Sequence, residues 1–385
     1  MRLLMRNYAP RVSSFVVLPV LLLVACTQVG GRSGAEGALV LETRASDSAQ
    51  ARATQRGARA SAERQPHEDT KPASPRPQTP PDDASPADEA LVFAVVSDLN
   101  GRYGAQDYAD GVHESVRWLV EDVRPDLVVS TGDMVAGQRA GLDYEAMWAG
   151  FHAAVTTPFA RAGIPFAVTP GNHDASAGAV FYQERITFVE QWRARRPQVE
   201  FVDDRFYPLH YAFKTKGVLF VSLDATTVGP IDATQRRWLR EVLQANRDAR
   251  AKVVFGHIPL YPVSQGRETE ILRDAKLEAM LNEFDVDLML AGHHHAYYPG
   301  RRGDLRLVSM ACLGSGPRKL IGSDVVSPKS VVVARVAPDG EVSLDAYAST
   351  SERHGAHPKI ERSTLPESLN EGAQRVWRDD VTEGL

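Results

Sequence analysis

The sequence predicts an α/β fold with a strand-rich second half, two sheets packed face to face and helices outside. Three observations carry this. The runs Leu91 to Asp98 (LVFAVVSD), Asp126 to Asp133 (DLVVSTGD) and Pro165 to Asp174 (PFAVTPGNHD) are apolar without alternation and end in polar loops. Such runs suit strands buried on both faces. Helical patterns separate them, and strand–helix–strand succession gives parallel pairing through right-handed crossovers. After His210 the strand signals crowd together, which implies a second sheet.

In chain order, Arg2, Arg6 and Arg11 precede the apolar run Phe15 to Ala25, too short to span a bilayer but suited to a signal peptide. The run closes on Leu23-Val24-Ala25-Cys26, which resembles a bacterial lipobox and implies residues 1–26 as a lipoprotein signal, with Cys26 as the lipidated residue. A plain secretory signal ending near a cysteine is the alternative. Residue Thr27 is not aspartate, which for a Gram-negative cell implies the outer membrane. The expected location is therefore exported and membrane-anchored. Residues 27–89 are rich in Ala, Arg, Ser and Pro and contain no aromatic residue, so they cannot bury enough apolar surface to order themselves. A disordered tether of that length reaches roughly 40–50 Å.

The ordered domain is expected over residues 90–349. Helices are predicted around Val112 to Val120, through Trp148, Phe151 and Val155, over Tyr182 to Gln198, over Ala233 to Ala249 with Trp238, Leu239, Val242 and Leu243 on the apolar face, and over Glu268 to Phe284. Strands are predicted on both sides of Lys216-Gly217, at Lys252 to His257, at Asp287 to His295, in LRLVSMACLG, and in a final hairpin turned at Asp339-Gly340. The polar tail 350–385 has weak periodicity and no predicted element.

The chain of 385 residues has a formal net charge of -5, which argues against a nucleic-acid partner. It has 2 cysteines; with Cys26 acylated, Cys312 has no partner and reads as a small buried core residue. Oligomeric state is left open.

Five strand ends carry chemistry: Asp98-Leu99-Asn100, Gly132-Asp133, Gly171-Asn172-His173-Asp174, Gly256-His257 and Gly292-His293-His294-His295. Ligands bind beyond the carboxyl ends of strands in open α/β sheets, so these loops should converge. In an extended segment His293 and His295 face one side while His294 points away. Singly, each block is also an ordinary helix cap, turn or core histidine. Together and in this order they resemble the calcineurin-like metallophosphoesterase family, whose blocks are Asp-x-His, Gly-Asp, Gly-Asn-His-Asp/Glu, Gly-His and Gly-His-x-His.

The resemblance covers about Val92 to Tyr347 and implies a four-layer α/β/β/α sandwich holding two divalent or trivalent transition-metal ions (Mn, Fe, Zn or Co). It places Asp133 between the two metals, Asp98, Asn100 and His295 at the first, and Asn172, His257 and His293 at the second. The family has histidine where this chain has Asn100, a weaker donor; Tyr103 is a candidate substitute. His173 is implied as the acid for the departing alkoxide, with Asp174 orienting it. The implied activity is hydrolysis of a small phosphomonoester or phosphodiester by a metal-activated water. The alternative is a catalytically weakened domain that binds phosphorylated ligands or acts as a scaffold.

Overall fold

The computed structural model describes residues 89–382; the segments expected to be a signal sequence with Cys26 and a tether lie outside the described residues. The first sheet is built from β1 (Leu91–Val96), β2 (Leu127–Ser130) and β3 (Phe166–Val168), parallel to one another. Between β1 and β2 runs α1 (Asp110–Trp118), which continues through a π-helical turn, Leu119–Val123. Between β2 and β3 lie α2 (Tyr144–Phe151), a second π-helical turn, His152–Thr156, and α3 (Thr157–Arg161). After β3 come α4 (Tyr182–Ala194), then the antiparallel strands β4 (Glu200–Phe206), β5 (His210–Thr215) and β6 (Val218–Ser222).

The second half continues with α5 (Ala233–Ala245), β7 (Ala251–Phe255), α6 (Ala275–Glu283), β8 (Leu288–Ala291), β9 (Tyr298–Arg302) and β10 (Leu305–Ser309). The hairpin of β11 (Ser330–Val336) and β12 (Val342–Ala348) returns to the first sheet, whose order is β12-β11-β1-β2-β3. Two short strands, β13 (Ser368–Leu369) and β14 (Val376–Arg378), complete a second sheet of order β13-β14-β9-β10-β8-β7-β6-β5-β4. Both sheets are mixed.

Side-chain alternation explains the layering. Phe213, Phe220, Val253, Phe255, Leu288 and Leu290 join the core of the first sheet, whereas their neighbours Ala212, Leu219, Val221, Val254 and Met289 pack with Trp238, Leu239, Val242, Leu277 and Leu281 of α5 and α6. Phe93 meets Phe220 edge-on at 5.2 Å across the two sheets. The predicted α/β/β/α sandwich is therefore the observed one.

Three departures matter. Helix α6 starts at Ala275 and not at Glu268, because Asp274 caps it by accepting from Leu277 N at 3.0 Å; residues 268–274 are loop. Strands β4 and β9 were not foreseen: β4 is a charged edge strand and β9 carries Pro299 and Gly300. The tail, for which no element was predicted, packs onto β9 and is pinned by ion pairs from Asp379 to Arg306 (2.6 Å) and Arg362 (2.8 Å). Among the described residues no helix is long and apolar enough to cross a membrane.

Candidate metal centre

The strand ends converge as expected, and backbone hydrogen bonds stitch them together. Asp98 N donates to Gly132 O (3.0 Å), Asn100 N to Asp133 O (3.2 Å) and Gly292 N to His257 O (2.9 Å). Close approach requires two of the glycines. A Cβ on Gly171 would lie 2.1 Å from Asp133 N, and one on Gly292 would lie 2.3 Å from Ser97 Oγ and 2.7 Å from Asp98 Oδ2. Four candidate ligands adopt left-handed backbone: Asp98 (φ 48), Asp133 (φ 56), His293 (φ 65) and His295 (φ 52). Each is strained for a non-glycine residue, and such strain persists where the surrounding structure enforces a site.

The donor atoms form two facing groups. His295 Nε2 is 3.1 Å from Asp98 Oδ1. His257 Nε2 is 3.3 Å from Asp133 Oδ2 and 2.9 Å from Asn172 Oδ1. Ligand atoms of Asp98, Asp133 and His257 lie within 4.8 Å of one another, and all three residues are buried. Both imidazoles are oriented from behind: His257 Nδ1–H donates to Thr131 O (2.8 Å) and His295 Nδ1–H to Gly316 O (2.9 Å). That fixes Nε2 as the atom each presents forward, as a metal-ligating histidine needs. A hydrogen-bonded chain from Thr131 Oγ1 to Ser97 Oγ (2.5 Å) and on to Asp98 Oδ2 (2.5 Å) orients the first carboxylate. Mixed carboxylate, imidazole and amide donors fit a first-row transition metal, and the residues present fit the implied ions.

Electrostatics follow from burial and pairing. Burial opposes charge on His257, but Asp133 beside it outweighs burial and holds its pKa up at about 9. Burial likewise opposes charge on His295, and Asp98 overrides it, pushing the pKa to about 11. His293 goes the other way: burial and the neighbouring His257 push it down to about 2. The metal-free centre is thus a pair of imidazolium–carboxylate contacts, and a cation must displace a proton from His257 and from His295 but none from His293. Between about pH 7 and 9, the affinity for each ion should rise by about tenfold per pH unit, one proton being released per ion and two per fully loaded centre. Calorimetric titration with Mn in buffers of different ionisation enthalpy counts these protons; a count near zero contradicts the assignment of both histidines.

The remaining candidates divide. Asn100 is buried, but its side chain makes no hydrogen bond to the cluster among the described residues; its backbone bridges the loop of Asp133 and that of Ser315. Tyr103, half exposed, meets the His173 ring at 5.5 Å, tilted by 53°, and makes no hydrogen bond or ring contact with the first site's ligands among the described residues. His173 N donates to Asp133 Oδ1 (2.8 Å), and its buried Nδ1 has no hydrogen-bond partner among the described residues. Asp174 does not orient His173, which corrects the expectation. Its two oxygens accept from Gly171 N (2.7 Å) and Met134 N (2.7 Å), so it braces the two loops, and burial beside Asp133 raises its pKa to about 8.

Both Asp133 and Glu184 interact electrostatically with His173; Glu184 is braced by the neighbouring loop. Its Oε1 accepts from Tyr144 OH (2.6 Å) and Gln138 N (2.5 Å), while its buried Oε2 is unpartnered. His294 points away from the centre as predicted, yet it is buried and structural: Val263 N donates to its Nδ1 at 3.1 Å. Cys312 is buried as expected, but it lies in contact with His295 and not in an inert stretch of core. Sequence reasoning missed Ser97, Thr131 and Glu184; the first two flank a block residue, whereas nothing near Glu184 in sequence marks it.

The family model for calcineurin-like phosphoesterases matches residues 91–297. Probable purple acid phosphatase 20 of Arabidopsis thaliana is 26% identical over 219 residues, covering 55% of this chain and 47% of that protein. Purple acid phosphatase 22 of the same plant is 32% identical over 140 residues, covering 34% of this chain and 31% of its own length. The chain thus spans less than half the length of these relatives. The structure of purple acid phosphatase PPD1 from yellow lupin (Lupinus luteus) seeds superposes with a TM-score of 0.54 at 14% identity, covering 72% of this chain and 54% of that one, which supports the fold.

Proposed function

The chain belongs to the calcineurin-like phosphoesterase family, and from that premise we propose that it hydrolyses a small phosphomonoester or phosphodiester at a two-metal centre. The observation that carries the reading is the buried meeting of Asp98, Asp133 and His257, with His295 and Asn172 adding donors at 3.1 and 2.9 Å. When bound, transition-metal ions would supply an acidified water and neutralise phosphoryl charge. Asp133 has one oxygen toward His257, the other held by His173 N, and a ligand atom within 4.8 Å of that of Asp98, which supports a bridging role. It would bridge the ions, with Asp98 and His295 holding one and Asn172, His257 and His293 the other. His173, beside the bridging carboxylate, would give a proton to the departing oxygen.

Export and membrane anchoring through Cys26 are part of the proposal and are supported by the sequence alone: the arginines, the apolar run and the Leu-Val-Ala-Cys ending. On this reading the active domain works on the envelope side of a membrane, at the end of a tether.

Removal of metal tests the function. The purified protein should hydrolyse 4-nitrophenyl phosphate or bis(4-nitrophenyl) phosphate, lose the activity after chelation, and regain it on addition of Mn, Fe, Zn or Co with about two ions bound per chain. Fewer than two tightly bound ions together with no turnover of either ester would turn the reading toward a phospho-ligand-binding domain.

A further inference from the structure

Three charged side chains that the proposed chemistry does not use lie beside the candidate ligands: Glu270 at His293, Arg267 paired with Glu270, and Arg318, whose backbone is hydrogen-bonded to that of His295. The loop from Tyr261 to Glu270 is tied down by His294, whose Nδ1 accepts from Val263 N (3.1 Å) and whose Nε2–H donates to Glu270 O (3.0 Å). At the loop's end one oxygen of Glu270 does double duty: Oε2 lies 3.0 Å from His293 Nε2 and is ion-paired with Arg267 Nη1. Arg318 lies on the loop after β10. Its backbone N donates to His295 O (3.2 Å), and its Nε is buried with no hydrogen-bond partner among the described residues. Burial and the like charge of Arg267 hold Arg318 below its ordinary pKa, and Glu270 and Asp98 also act on it.

One guanidinium therefore pairs with a carboxylate beside the candidate ligand His293, and a second, anchored on the backbone of His295, keeps a buried N–H donor unused among the described residues. A planar guanidinium fork matches phosphate oxygens, and a tetrahedral dianion supplies more acceptors than the single oxygen Glu270 offers. We propose that Arg267 and Arg318 read the non-bridging oxygens of the substrate's phosphoryl group, that they favour a phosphomonoester dianion over a phosphodiester, and that the Glu270 carboxylate holds this position until phosphate displaces it. The assignment deepens the hydrolytic reading and rests on it for the choice of substrate. A diester carries one negative charge and has one oxygen blocked by its second substituent, so it gains less from a second guanidinium.

The test uses the full-length, metal-loaded protein with 4-nitrophenyl phosphate, methyl 4-nitrophenyl phosphate and inorganic phosphate. Arg318→Gln and Arg267→Gln should each lower kcat/KM for the monoester by about 10- to 100-fold, as expected for losing a hydrogen bond between charged groups, and that for the diester by no more than about threefold. Phosphate affinity measured by calorimetry should fall in parallel, and Arg318→Lys should recover part of it because the charge remains. Glu270→Gln should tighten phosphate by about threefold or more, the internal competitor having lost its charge. Equal losses on both esters, unmoved phosphate affinity in both arginine variants, or reduced metal content in them would overturn the assignment. If the parent protein hydrolyses neither ester, the hydrolytic reading fails, while the phosphate titrations still decide whether the arginines form an anion site.

Discussion

Replacing Asp133 with asparagine should reduce phosphoester hydrolysis by about a thousandfold or more, since charge stabilisation by bound metal is worth several kcal/mol and each 1.4 kcal/mol is tenfold in rate. The expectation rests on position. Asp133 has one oxygen 3.3 Å from His257 Nε2 and the other accepting from His173 N at 2.8 Å, and its ligand atom lies within 4.8 Å of that of Asp98. Asparagine keeps the shape, so the tight packing against Gly171 survives, but it removes the charge that holds His257 at about pH 9. Two consequences separate this from unfolding. Metal content should fall below two ions per chain while the circular dichroism spectrum is retained, and in the metal-free variant His257 should titrate well below about 9 by NMR, because burial then acts unopposed. The His257 contact in the parent has the opposite signature: its raised pKa contributes stability that is complete below about pH 6.5 and is lost as pH rises through about 9. A variant that retains both ions and turnover would remove Asp133 from the bridging position.

What could be read in the sequence, and what could not, divides along one physical line. Strand ends were legible because a run buried on both faces is apolar throughout and stops where a polar loop begins, so Asp98, Asp133, Asn172, His257 and His293 announced themselves by place as well as type. The alternation that set His294 apart from His293 and His295 is equally local. Contacts set by how loops fold over one another left no such trace. Glu184 sits on α4, 11 positions after His173, since 184 − 173 = 11, and reaches the site only because that helix crosses the loops. Arg267, Glu270 and Arg318 lie in loops whose course is fixed by the buried ring of His294 and by the backbone of His295. The role given to Asp174 failed for a related reason. Adjacency to His173 suggested a partner, but the turn directs the carboxylate backward onto two backbone N–H groups. The tail escaped notice because its strands have 2 and 3 residues and depend on long-range ion pairs, not on periodicity.

His173→Ala should separate acid catalysis from metal chemistry by leaving group. A general acid contributes about 10²- to 10⁴-fold where the departing oxygen needs a proton, and little where it does not. Hydrolysis of an alkyl phosphate should therefore fall by about 10²-fold or more, and that of 4-nitrophenyl phosphate by about tenfold or less, with metal content unchanged. The side chain is placed for this work: its backbone is locked to Asp133, its ring is flanked by half-exposed Tyr103, and its buried Nδ1, like a buried oxygen of Glu184, has no hydrogen-bond partner among the described residues. Two unpaired polar atoms of opposite tendency, buried in one neighbourhood and acting on each other electrostatically, are costly to maintain unless one of them carries a proton during the reaction. Glu184→Gln should accordingly lower turnover of the alkyl ester by about tenfold and leave the aryl ester nearly untouched, because it alters the field on His173 and not the metal ligands. A loss shared equally between alkyl and aryl esters in His173→Ala would place that residue in binding or in metal retention, and would leave the departing oxygen to take its proton from solvent.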